Sequence, residues 1–503
     1  MKPIREIKVT NSISGKKETL VTRTPGKLGM YSCGPTVYDF IHIGNLRAAL
    51  ASDLFFRYFK KVGYDVNFVR NYTDVDDRII AKSIAEKVGT DQIADRFIGE
   101  VEKDYALAGM QEPTHKTTVR DHIPEIIAMT KKIIDNGKGY VAPDGEVLFS
   151  IEKFEGYGKL SHKKVDDLVA GIRVEVSEKK KNPLDFTLWK PAKPGEPTWD
   201  SPWCKGRPGW HIECSAMASK WLGEQMDVHH GGSDLIFPHH ENEIAQSEAA
   251  SGKAPYVGYW LHSAFLTMHK EKMSKSLGNV LNARNFLAQY GGEFARYMLL
   301  SVHYRSLIDF SDATVEQTAM ELQRIYEAKA KAVQLQSLKA SMPDMRAESA
   351  WGIFMAECET ARTEIDEHYA NDFNTAGAMS SLFTLIRSFN RILAEPKAAG
   401  TPSVILAAGE LIKIMEQDIG DVIGIGRAMP EKMLKDLEGI RLSRANANGP
   451  ARPSEVEILK GIQARADARK NKDFAEADRI RKDLEARGVM IKDSPTGTTW
   501  HYL

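Results

Sequence analysis

The stretch GMYSCGPTVYDFIHIGNLRAALASDLFFRYFKKVGYDVNFV, residues 29–69, decides the fold. Gly29 to Tyr38 reads as an apolar strand that runs into a Cys-Gly-Pro turn. His42-Ile43-Gly44-Asn45 follows, and then a segment whose apolar residues recur at helical spacing until Gly63 stops it. Tyr64 to Val69 alternates as a strand does. Strand, glycine turn, helix, strand is a βαβ unit, which predicts an α/β domain built on a parallel sheet with its ligand crevice at the strand ends.

Working outward, residues 115–208 mix helical pieces with Gly- and Pro-punctuated extended ones and are expected to form an insertion. The α/β character returns from Trp210, and after Asp312 the chain becomes almost wholly helical. Polar connectors near Ser337–Glu348, Glu395–Ser403 and Ser443–Pro453 punctuate that half. The tail, 454–503, holds a charged helical pair and an extended Gly-Thr-Thr-Trp end. The expected domains are therefore 1–114 with 209–265, an insertion over 115–208, a linking region over 266–330, a helical bundle over 331–445 and a small domain over 454–503.

With 503 residues, 42% hydrophobic and 27% charged, the chain has the bulk of about three soluble domains. MKPIREIKVTNSISGKK has no apolar run, and nothing later has membrane-spanning length, so neither a secretory leader nor a membrane partner is expected. Four cysteines are too few for a disulfide scaffold and point to a reducing, cytoplasmic setting. The zero net charge announces no nucleic-acid partner, although a local basic face can hold one.

Two strings ask for a nucleotide phosphate. A helix start is a natural anion seat, Gly44 lets a nucleotide approach the backbone, and His42 and Asn45 supply donors. Far downstream, Lys272-Met273-Ser274-Lys275-Ser276 offers two compact cations in a segment bounded by Gly278. In this order the pair resembles the paired signatures of class I aminoacyl-tRNA synthetases. The resemblance implies attack of a carboxylate on the α-phosphate of ATP, with His42, Asn45, Lys272 and Lys275 catalytic by positioning and charge stabilisation. Many such enzymes carry a second histidine where Asn45 stands, and Asn45 is a donor only.

A second constellation mixes sulfur, imidazole and carboxylate. Cys33 precedes the nucleotide turn, Cys214 lies in a Trp-His-Ile-Glu-Cys run, and His239 and Glu243 are four apart, as on one helix face, with Pro238 suited to that helix's first turn. These form a plausible zinc set, but spacing leaves His240 open in place of His239 and Cys204 in place of Cys214.

CGPTVYDFIHIGN, RNYTDVDD, NPLDFTLWK, GRPGWHIECSAM, GGSDLIFPHHENE and EKMSKSLGN together resemble the cysteinyl-tRNA synthetase family over the first 300 residues or so. The helical half matches more loosely, through Asp372-Phe373-Asn374-Thr375 and the tail. The resemblance implies a Rossmann-like catalytic domain with a mixed insertion, an all-α anticodon-binding bundle and a small C-terminal domain. It also implies a monomer with one Zn2+ on Cys33, Cys214, His239 and Glu243, and no role for Cys204 or Cys358. Zinc favours thiolate over hydroxyl, which separates cysteine from serine where shape cannot. Cys33, Thr73 and Trp210 would lie by the cysteine, and Gly34, Thr36, His42, Gly44, Asn45, Gly232, Asp234 and Lys275 by ATP with its Mg2+. The partners implied are L-cysteine and tRNA(Cys). A paralogue that joins cysteine to an amino sugar in mycothiol assembly is the alternative, and the long helical half, which such paralogues lack, favours tRNA. A zinc hydrolase or a non-catalytic RNA-binding relic fits the paired phosphate strings less well. The basic residues from Arg465 to Lys482 sit among acids and read as salt-bridged helices, while Trp500 would either stack on an unpaired base or pin the tail.

Overall fold

A computed structural model of the chain describes residues 4–163, 179–268, 271–272, 281–337, 345–394, 401–448, 453–471, 473–494 and 497–502. Its centre is a five-stranded parallel sheet of β1 (Lys27–Ser32), β2 (Asp65–Tyr72), β3 (His115–Thr118), β4 (Met226–Gly232) and β5 (Val257–Ser263). The spatial order is β3-β2-β1-β4-β5, so the chain reverses its winding between β1 and β4. In a doubly wound sheet that reversal opens a crevice beyond the carboxyl ends of the two strands.

The helix α1 (Ile43–Lys61) connects β1 to β2, as the periodicity predicts. It is buried on nearly every side because it lies between the sheet and the helical half. Phe55 meets the His230 ring on one side (centroids 5.2 Å apart) and Phe373 of the Asp-Phe-Asn turn on the other (4.3 Å). Two further helices, α2 (Trp210–Leu222) and α3 (Glu241–Ser251), flank β4 in sequence and bring the remaining polar side chains to the crevice.

β3 lies inside the expected insertion yet forms an edge of the main sheet. Its sequence, His-Lys-Thr-Thr, carries no apolar alternation that would announce a strand. The mixed segment comes after it, with a helix over Ile123–Asp135 and an antiparallel sheet of Gly139–Val141, Val147–Phe149, Phe186–Pro191 and Gly206–Pro208.

The chain divides into two compact units at Ala428/Met429. The first ends in the long helices Asp312–Gln336, Met345–Ala370, Thr375–Leu393 and Pro402–Lys413. The second holds Pro430–Asn448, Glu455–Lys470, Phe474–Ala486 and the hairpin of Val489–Ser494 with Gly497–Tyr502. The division falls earlier than the polar connector at 443–453 suggests, because a polar run marks a loop without saying to which side the preceding helix belongs. Trp500 packs against the small core of Ile458, Leu484, Val489 and Ile491, and so pins the tail to itself. Arg479 pairs with Glu476 and Arg481 with Glu485, the salt-bridged surface expected there. No described helix is long and apolar enough to cross a membrane.

One buried ionic joint ties α1 to its surroundings. Asp53 Oδ2 accepts from Arg57 Nε at 2.7 Å and from Arg296 Nη2 at 2.6 Å, while Oδ1 accepts the Gln111 amide at 2.8 Å. Arg296 also reaches the Ile423 and Ala108 carbonyls, and Arg57 the Gly109 carbonyl. Removing the carboxylate would leave two guanidiniums buried without a counter-charge. Asp53→Ala is therefore expected to destabilise the fold by about 3–5 kcal/mol, read as a shift of the denaturant unfolding curve.

Candidate active site

The crevice at the β1/β4 switch is a cavity of about 400 Å³. Its walls are the loop after β1 (Cys33 to Thr36), the first turn of α1 (His42, Gly44, Asn45), Gly232 at the end of β4 with Asp234 after it, Trp210, and Ser263 at the end of β5 with Ala264 to Leu266 after it. Gly34 is needed where it stands, since a Cβ there would lie 1.7 Å from the Asn71 carbonyl oxygen. Its amide donates to Asn71 Oδ1 at 2.9 Å, which bends the chain out of β1.

The turn that opens α1 differs in one respect from the expectation. His42 is the N-cap, and its Nδ1 accepts from the Gly44 and Asn45 amides at 3.1 and 3.2 Å. Asn45 Oδ1 in turn accepts the His42 amide at 3.2 Å, a reciprocal capping box. The Ile43 amide donates to the Leu281 carbonyl. The helix-start N–H groups are thus engaged within the chain rather than presented as a bare anion seat. With Nδ1 accepting, the ring proton belongs on Nε2, and Asn45 has its amide nitrogen left as donor.

Of the second phosphate string, Lys272 lies among the described residues. Lys272 lies in the strand Glu271–Lys272, which pairs with Leu266–Met268, and downstream Leu281 to Ala283 pairs with Ile41 to Ile43. Lys275 lies outside the described residues.

Cys33, Cys214, His239 and Glu243 come together, with one ligand atom from each within 4.8 Å of the others. Cys33 is carried by the loop after β1, Cys214 by α2, Glu243 by α3 and His239 by the turn before it. Pro238 stands in that irregular turn, outside the regular helix. The two sulfurs are 3.8 Å apart, Cys33 Sγ lies 3.6 Å from Glu243 Oε1, and His239 Nε2 lies 3.1 Å from the same oxygen. A second set, Cys33, His229, His240 and Glu243, overlaps it. Proximity alone therefore leaves His239 and His240 both able to serve. Cys204 is elsewhere, with its sulfur 3.3 Å from the Gly145 carbonyl in the insertion, and Cys358 is buried in the helical half.

The electrostatics are those of a crowded, buried donor set. The hydrogen bond from Cys33, more than anything else, pulls the Cys214 thiol down to about 6, while burial holds Cys33 well above its ordinary range. Burial opposes ionisation of Glu243, but His229 and His239 outweigh it and bring the carboxyl to about 2. Burial likewise opposes a charged His239, yet Cys214 and Glu243 raise it to about 10. Burial and the neighbouring His239 lower His211, whose Nδ1 lies 2.9 Å from His239 Nδ1, to about 3.

Trp210, the first residue of α2, is the link between donor set and cavity. It lines the cavity and stacks on the His239 ring at 4.4 Å, and Cys33 lines the same wall. Gly34, Thr36, His42, Gly44, Asn45, Gly232 and Asp234 all line the cavity. Thr73 does not. It is buried, and pairs through its backbone with Pro35 and Val37.

Sequence reasoning missed the side chains that hold these residues still. His229 Nε2 donates to Glu243 Oε2 at 3.0 Å, leaving Oε1 toward the sulfurs. His240 Nδ1 pairs with His262 Nε2 at 2.8 Å, and a side chain at Gly231 would collide with the His240 ring. His230 joins Ser52 of α1 to Ser263 of β5 at 2.8 Å each, and burial lowers its pKa to about 3, so it serves as a neutral strut. The signal was present: two adjacent histidines in Val-His-His-Gly-Gly must both be buried if that segment is a central parallel strand.

Residues 19–320 match the family described as tRNA synthetases class I (C) catalytic domain, and residues 366–425 match the DALR domain. Residues 458–500 match the cysteinyl-tRNA ligase anticodon binding domain. Among solved structures, Mycobacterium tuberculosis methionyl-tRNA synthetase with methionyl-adenylate superposes with a TM-score of 0.59 at 15% identity, over 82% of this chain and 93% of that one. An Agrobacterium radiobacter LeuRS–tRNA complex gives 0.56 at 10% identity, over 83% of this chain and 86% of that one. Both likenesses bear on the fold, a class I synthetase architecture. At the sequence level the Cysteine--tRNA ligases of Geobacter metallireducens and Geobacter sulfurreducens are each 46% identical, over 98% of this chain and 99% of theirs. That of Syntrophotalea carbinolica is 42% identical over the same shares. The chain belongs to the cysteine–tRNA ligase family of class I aminoacyl-tRNA synthetases.

The capping geometry has a measurable consequence. His42→Ala is expected to cost about 1 kcal/mol of stability beyond any loss of activity, and His42→Asn, which can still accept the two amides, to cost less. Parallel denaturant titrations of the two variants read the difference.

Proposed function

We propose that the chain activates L-cysteine with ATP to cysteinyl-adenylate and transfers the cysteinyl group to the 3′ end of tRNA(Cys). One observation carries this reading: a buried thiol-imidazole-carboxylate set opens, through Cys33 and Trp210, onto the same cavity as the capped His42–Asn45 turn. Recognition of a sulfur side chain and activation of its carboxylate then occur within one pocket.

The donor set fits zinc, because two thiols, an imidazole and a carboxylate within 4.8 Å match its softness and size. Of the two overlapping sets, the one with both sulfurs is the better zinc pocket, so Cys33, Cys214, His239 and Glu243 are assigned to hold one ion. When bound, zinc would supply affinity for thiolate that a serine hydroxyl does not match. Trp210 shapes the amino-acid side of the cavity, and Thr73 acts indirectly by fixing the loop that bears Thr36.

On the nucleotide side, Gly34, Thr36, Gly44, Gly232 and Asp234 form the walls that receive ATP. His42 through Nε2–H and Asn45 through its amide nitrogen would donate to phosphate oxygens as the substrate carboxylate attacks and pyrophosphate leaves. Lys272 and Lys275 would neutralise charge on the triphosphate, with Mg2+ accompanying ATP as substrate ion. The matches to the DALR and anticodon-binding domains favour tRNA over an amino sugar as acceptor.

The test joins metal content to charging. Wild-type protein is expected to hold one zinc per chain and to show cysteine-dependent ATP–pyrophosphate exchange and charging of a tRNA pool with cysteine but not serine. Cys214→Ser is expected to lose most zinc and at least tenfold in exchange, while Cys204→Ser keeps both. Full zinc in Cys214→Ser would move the metal elsewhere, and exchange without tRNA charging would point to another acceptor.

A further inference from the structure

Arg47 lies two positions beyond Asn45 on α1, with only 2% of its surface exposed. Among the described residues it has no carboxylate partner. Its Nη1 donates to the carbonyls of Ala264 at 2.9 Å and Phe265 at 2.6 Å, Nη2 donates to that of Ser306, and buried Nε has no acceptor. Burial lowers its pKa to about 10, so it remains a cation at neutral pH.

These carbonyls are not scattered. Ala264 and Phe265 belong to the cavity wall that faces Cys33–Thr36 and the His42–Asn45 turn. Ser306 precedes the strand Ile308–Phe310, which pairs in parallel with Leu266–Met268, the strand that leads toward Lys272. Backbone bonds from Ala264 to Tyr304 and from Ile308 to Phe265 close the same corner. One planar guanidinium thus spans both segments from the helix that carries the phosphate turn. Arginine suits this because its donors are fixed in a rigid fork.

A buried cation satisfied only by carbonyl dipoles is expensive, and an apolar side chain would pack a mere scaffold at lower cost. Its charge is paired with no described carboxylate, and two of the carbonyls it holds belong to the wall of a cavity that, on the function proposed above, receives a triphosphate. Asp53 two turns away shows the contrast, since there a carboxylate clasps two arginines.

We propose that Arg47 is a positioning residue for the nucleotide step: its fork sets the Ser263–Leu266 wall against the His42–Asn45 turn, and its unneutralised charge favours the ATP phosphates. It touches no substrate, and it acts on ATP rather than on cysteine, because its bonds go to the Ala264, Phe265 and Ser306 carbonyls and not to the donor set.

The test compares Arg47→Lys, which keeps charge and loses the fork, with Arg47→Met, which loses both. Both are assayed as full-length enzyme for steady-state ATP–pyrophosphate exchange, zinc content and thermal midpoint. Arg47→Met is expected to raise KM for ATP at least tenfold, with KM for cysteine and zinc content within twofold of wild type. Arg47→Lys is expected to recover part of the ATP defect. An Arg47→Met enzyme with KM for ATP within twofold of wild type would overturn the proposal. So would equal losses for ATP and cysteine alongside a lowered thermal midpoint, the pattern of scaffold damage. Should Arg47→Met not fold, the ATP-against-cysteine split in Arg47→Lys decides alone. Absence of cysteine-dependent exchange in the wild-type enzyme would instead count against the function on which this inference rests.

Discussion

As the chain leaves β1, the Cys33 amide still donates to the His230 carbonyl of β4. That bond closes the switch point of the sheet, and the rest of the site is arranged around it. It sets the Cys33 sulfur at the mouth of the crevice, above the buried Cys214 and Glu243. It also starts the loop that Gly34 and Asn71 bend toward α1. A different strand order would place the sulfur and the phosphate turn on separate edges. The chemistry proposed here therefore depends on topology before it depends on any single side chain.

Two buried arginine arrangements show how differently charge is handled a short distance apart. Around Asp53, a carboxylate and several carbonyls satisfy two guanidiniums, and the result is a joint between α1 and the helical half. Around Arg47, the partners among the described residues are three backbone carbonyls, two of them in the cavity wall. Between them, neutral His230 braces α1 against β1 and β5 through Ser52, Ser32 and Ser263. A neutral strut there avoids placing a second positive charge beside the zinc-ligand candidates, and burial keeps it neutral.

Much of this is legible in the sequence for identifiable reasons. The βαβ unit is readable because α1 carries helical periodicity to a glycine stop at Gly63. The phosphate turn is readable because it occupies consecutive residues. The donor set is only half legible. Its members come from four separate places, no CxxC pair ties them, and His239 and His240 are adjacent, so spacing cannot choose. Even the folded chain offers two overlapping sets, so proximity does not choose between them. β3 escapes notice because its four residues are polar, and the backbone bonds of Thr73 to Pro35 and Val37 leave no pattern in the sequence. The internal cap of His42 is not foreseeable, since a histidine seldom fills the place usually taken by Ser, Thr, Asp or Asn.

That cap bears on selectivity toward small ions. A bare phosphate or sulfate arriving at the amino end of α1 does not find vacant amides; it must displace the imidazole nitrogen that already satisfies two of them. An isolated oxyanion offers little in exchange. On the function proposed above, the nucleotide phosphates would meet the ring Nε2–H of His42 rather than the capped amides.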